Sequence, residues 1–188
     1  MLVNPKFSFV VVLASIITAL GLRAILTGVG WIVTCRKQVH PYYLHLIGAS
    51  LVFLLQIEFW WGTFSKNKFV EWKFYSLLVY LITPILYYLV SELLFPSRAP
   101  SNMDFRQYYW DNYRWFYGIA AAIQLNNIAV DALMPTSDPV LVADAIRLAG
   151  FTALMVMVFT KSARVHAAIY GILASLFVLF VAIFEFKV

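Results

Sequence analysis

Apolar runs of roughly 20 residues, the length a helix needs to cross the hydrocarbon layer of a bilayer, recur from one end of this sequence to the other. A chain made of such runs has lipid as its main solvent. In lipid every backbone N–H and C=O must find an internal partner, so only helices and closed barrels can span it. Segments such as SLFVLFVAIF and VVVLASIITAL are apolar on every face, whereas a barrel strand alternates apolar with polar residues. The fold class read from the sequence is therefore all-α, a polytopic transmembrane bundle of about six helices. Composition points the same way: 63% of the residues are hydrophobic and 12% charged, against about half and a quarter in soluble domains. All 188 residues are read as a single integral membrane domain.

The expected helices cover residues 7–33, 41–64, 71–95, 102–134, 139–160 and 165–187. The first apolar run is too long for the core of a cleaved signal peptide and is read as retained. Pro41 suits the first turn of the second helix, where its missing N–H leaves nothing unpaired. Pro84 lies inside the third helix and removes one backbone hydrogen bond there. After the loop PSRAPS, Ser101 with Asp104 three positions on reads as a helix cap. The stretch MDFRQYYWDNYRWFYG then mixes charges with Tyr and Trp, which predicts a start at headgroup level. Asp138 is the expected cap of the fifth helix, with Pro139 at its first position. Glu92 and Asp131 each precede by four residues a proline that ends their helix; so short a match is not read as a duplication.

Charge sets the remaining bounds. The net charge of +5 comes from Lys and Arg between apolar segments, where they meet lipid headgroups or set topology, and no basic run points to nucleic acid. Cys35, the single cysteine, offers no internal disulfide and no thiolate metal site. With six spans, the odd loops carry Arg36, Lys37, Arg98, Arg106, Arg114, Lys161 and Arg164, and the opposite face carries Lys6, Lys66, Lys68, Lys73 and Lys187. The excess on the odd loops predicts that they are cytoplasmic and that both termini lie on the other side.

Candidate functional residues are the ionisable and amide groups inside apolar spans, because each is costly there unless paired, hydrated or turned inward. Arg23 lies near the middle of the first helix. Gln124, Asn127 and Asp131 follow one another at three and four residues, which places them on one face of the fourth helix. Asp144 and Arg147 lie three apart on the fifth. Glu58, Asp131, Asp144 and Arg147 come at the ends of their helices facing one side of the membrane, and are expected to meet. The same residues also read as hydrogen bonds and ion pairs that only hold helices together. Tyr42, Tyr43, Tyr87, Tyr88 and the run from Tyr108 to Tyr117 read as one interfacial belt; Trp60, Trp61 and Trp72 read as the other.

No soluble-enzyme signature is present, and no convergent set of nucleophile, base and metal ligands can be assembled. The leading functional reading is a channel or transporter for an ion or small polar solute, with Arg23, Glu58, Gln124, Asn127, Asp131, Asp144 and Arg147 along its path. One alternative is a non-catalytic membrane subunit or scaffold, homo-oligomeric or bound to another membrane protein through the amphipathic segment Asn102–Trp115. A second is electron transfer through a haem held by His45 and His166, which lie at similar depths, with Arg36, Lys37, Lys161 and Arg164 near its propionates. No other cofactor is indicated.

Overall fold

The computed structural model describes residues 5–68, 72–96, 102–135 and 140–184. Six α-helices dominate them: α1 (Pro5–Thr34), α2 (Tyr43–Gly62), α3 (Phe74–Leu94), α4 (Phe105–Leu133), α5 (Val140–Phe159) and α6 (Ala163–Phe184). A 3-10 turn, Thr63–Lys68, follows α2. The architecture is the all-α bundle expected. α1 packs on α3, α3 on α4, α4 on α5, α5 on α6 and α6 on α2, which returns to α1 and α3, so the helices form a ring.

Five of these helices are long and apolar enough to cross a bilayer. The exception is α4. Gln124, Asn126, Asn127 and Asp131 dilute its C-terminal half, and Arg106, Asp111 and Arg114 its N-terminal half. At about 1.5 Å per residue its 29 residues still run the depth of the bundle between α3 and α5. Its two adjacent asparagines bond to α3: Asn126 Nδ2 donates to Val79 O (3.0 Å) and Thr83 Oγ1 (2.8 Å), and Thr83 donates to Asn127 Oδ1 at 2.8 Å. The outer surface is apolar, with Phe9, Ile16, Leu26, Leu141 and Val178 exposed. These features make the chain a multi-pass membrane protein.

Several local expectations are corrected. α2 begins at Tyr43 rather than Pro41, because Val39–His40 (β1) pairs in parallel with Met103–Asp104 (β2) and holds the preceding chain extended. The fourth helix begins at Phe105 rather than 102, and its cap is Asp104, whose carboxylate accepts from Arg106 N at 2.8 Å. Ser101, Arg98, Asp138 and Lys187 lie outside the described residues.

The tyrosines taken for a belt are largely core: Tyr42, Tyr87, Tyr109, Tyr113 and Tyr117 are buried with Phe95 and Phe105. The α4 segment read as a partner contact thus turns its aromatic face inward, leaving Trp115 outside. Trp72 is also buried, against Phe7 and Tyr80. Close approach of α1 to the chain after α3 depends on Gly28, where a Cβ would overlap the Phe95 ring.

Candidate functional site

Inside the ring, α2 to α6 enclose a cavity of about 610 Å³. Its walls are apolar through Leu51, Val52, Leu55, Ile123, Leu154 and Leu173, and its mouth lies at the end of α2, where the lining residues Trp61 and Phe64 are exposed.

The mouth carries the charges. Lys66, in the turn after α2, donates to Asp131 Oδ1 at 2.9 Å and to Met134 O at 3.2 Å. The other Asp131 oxygen accepts from Arg147 Nη1, which also lies 3.3 Å from Asp144 Oδ1. The Arg147 guanidinium stands 5.6 Å from the Phe180 ring centroid. Asp131 is thus shared by two cations from separate elements while largely withdrawn from solvent, its side chain 14% exposed. Removal of water strengthens such pairs. Below them, Asn127 and Gln124 continue along the α4 wall, and Glu58 lines the cavity from α2.

The opposite end is closed by hydroxyls. Tyr117 and Tyr170 line the cavity floor and lie 2.7 Å apart through their oxygens. Tyr109 follows at 2.5 Å from Tyr117, and His166 Nδ1 at 2.5 Å from Tyr109. His166 Nε2 faces the carbonyls of Thr160 (2.7 Å) and Met157 (3.2 Å). Carbonyls only accept, so Nε2 carries the proton and Nδ1 of the neutral ring accepts from Tyr109. Every proton in the row is thereby assigned: Tyr170 donates to Tyr117, Tyr117 to Tyr109, and Tyr109 to His166. Gly48 of α2 makes room for the end of the row, since a Cβ there would overlap the Tyr170 hydroxyl.

The structure brings Asp131, Asp144 and Arg147 into contact and places Glu58, Gln124 and Asn127 on the same cavity. Arg23 is not among them. It sits on the exposed side of α1, a helix that contributes nothing to the cavity lining. Lys66 is the residue that sequence reasoning missed, because a lysine just past an apolar span reads as a flanking charge, and nothing in its spacing connects it to Asp131. The tyrosine row was hidden inside an apparent aromatic belt.

His45 and His166 do not fit a haem. Both nitrogens of His166 are bonded to protein. His45 is packed among Phe95, Phe105 and Tyr108, and the space beside it is about 10 Å³. No protein-family model, curated protein or solved structure matches the chain.

Proposed function

We propose that this multi-pass membrane protein is a transporter that takes its solute into the central cavity from the face bearing Lys66, Asp131 and Arg147. The observation that carries the reading is that the exposed lining residues, Trp61 and Phe64, lie at the end that bears the charged cluster, whereas the lining tyrosines Tyr117 and Tyr170 are buried and bonded to each other. A carrier working by alternating access rests in such a state, with its binding site near mid-membrane reachable from one side. A channel would need a polar route through both ends. In this reading Asp131 and Arg147 exchange their mutual pairing for contacts with the solute. Gln124 and Asn127 supply hydrogen bonds in place of water, and Glu58 and Asp144 adjust the charge at the mouth.

The test is flux into proteoliposomes across a panel of ions, small polar solutes and amphiphiles, with Asp131→Asn and Arg147→Gln beside the unmodified protein. Transport of at least one solute above empty vesicles, lost in both variants while each is still folded after reconstitution, is the expected result. Absence of any such solute, or full activity in both folded variants, would refute the assignment.

A further inference from the structure

We infer that the cavity takes an amphiphile with a zwitterionic head and an alkyl tail, its head among Lys66, Asp131 and Arg147 and its tail directed toward Tyr117. The inference names the substrate class of the proposed transporter; it rests on that reading for movement across the membrane but not for binding.

Shape is the first argument. Asp131 and Tyr117 mark the mouth and floor of the cavity on one helix, and their 14 residues at about 1.5 Å each put them about 21 Å apart. A cavity that runs about 21 Å along the helix suits an elongated solute rather than a compact one.

The distribution of polar groups is the second. Side-chain amides and charges of α4 line the cavity only from Gln124 to Asp131, in its upper half. Toward the floor the walls are Leu51, Val52, Leu154 and Leu173 until the two tyrosine hydroxyls are reached. An ion or a hydrated polar solute needs replacement ligands along its whole route, and below Gln124 α4 contributes no side-chain amide or charge to the lining. An alkyl chain needs none.

Charge at the mouth is the third. Glu58 and Asp131 line it beside Lys66 and Arg147, so groups of both signs lie together. A head with one charge meets a like charge alongside its counter-charge, whereas a zwitterion offers a complement to each. Exposed Trp61 and Phe64 at the rim add aromatic faces of the kind that attract a quaternary ammonium.

The experiment is native mass spectrometry of the full chain in a non-ionic detergent, titrated with lysophosphatidylcholine, with a fatty-acid anion and with an alkyltrimethylammonium of equal chain length. One lysophosphatidylcholine should bind per chain, about tenfold more tightly than either singly charged probe. Affinity should rise with chain length and level off once the chain reaches the floor. Leu154→Trp, which fills the lower half, should weaken the longest chain about tenfold and leave a chain of half that length unchanged; Leu173→Trp, from the neighbouring α6, serves if the first variant does not fold. Equal binding of the three heads, affinity that climbs without levelling, or long-chain binding indifferent to a folded tryptophan variant would overturn the inference. Tight lysophosphatidylcholine binding without flux would instead count against transport alone, and flux of another solute without such binding would count against the amphiphile alone.

Discussion

Lys66 and Asp131, 65 residues apart in sequence, are joined by an ion pair of 2.9 Å that fastens the turn after α2 to the end of α4. The pair makes the cavity mouth part of the fold. Because Asp131 also takes Arg147 from α5, three segments of chain meet on one carboxylate. Any movement that widens or closes the mouth has to break or rearrange that meeting.

Asp131→Asn should therefore destabilise the protein strongly, since it leaves two cations without their shared counter-charge; loss of one partner from a largely buried pair costs about 3–5 kcal/mol. Thermal unfolding of the purified protein should show the drop. Adding Lys66→Met to Asp131→Asn should recover part of it, giving a coupling of about 1–3 kcal/mol in a double-mutant cycle. Strict additivity of the two substitutions would mean that the pair holds nothing.

Substitution at Gly48 addresses the other end. A methyl group there overlaps the Tyr170 hydroxyl, so Gly48→Ala should push Tyr170 off Tyr117 and cost about 1–3 kcal/mol. Combining it with Tyr170→Phe removes the overlapping oxygen, and the double variant should melt above Gly48→Ala alone. A Gly48→Ala protein as stable as the parent would show that α2 and α6 are less closely fitted than described.

The direction of the tyrosine row gives a spectroscopic expectation. Nitrogen-15 spectra of the protein in lipid at neutral pH should show His166 as a single tautomer protonated at Nε2, because the Thr160 and Met157 carbonyls can only accept. His166→Phe should broaden or shift the Tyr109 and Tyr117 ring signals and cost about 1–3 kcal/mol for the groups it leaves unpaired. An Nδ1-protonated ring would reverse the assigned order of donors.

Arg23→Gln should leave flux unchanged, since this arginine lies on the exposed side of α1, a helix that does not line the cavity. A transport defect as large as that of Arg147→Gln would return Arg23 to the path.

Orientation is open to a direct measurement. The seven Lys and Arg residues of the odd loops against five on the other face set the expectation that the odd loops are inside. A tag at the C-terminus should be labelled in intact cells by an impermeant reagent. Labelling only after the membrane is opened would reverse the topology.

How much of this was legible in the sequence follows from which interactions are local. Helix class and approximate spans come from apolar length, which each segment carries by itself, and the stripe Gln124, Asn127 and Asp131 comes from helical spacing. Partners were another matter. Lys66 and Asp131 meet only because the chain after α2 turns inward, and Tyr109 meets His166 only because α4 and α6 face one another across α5's end. The parallel pairing of Val39–His40 with Met103–Asp104 joins two loops, and no periodicity in either announced it. Tyrosine deceived for a physical reason: its ring suits both a headgroup layer and a buried hydrogen-bond row, and only neighbours decide between them.

The polarity of α4 bears on how the chain enters the membrane. Asp111 and Arg114 in the first half of α4, and Gln124, Asn126, Asn127 and Asp131 in the second, oppose its release from the translocon as an isolated helix. Its partners come from both sides in time: Lys66, Val79 and Thr83 are synthesised before it, and Arg147 of α5 after it. A ribosome stalled before α5 would leave Asp131 with Lys66 alone, one half of the pairing that closes the mouth.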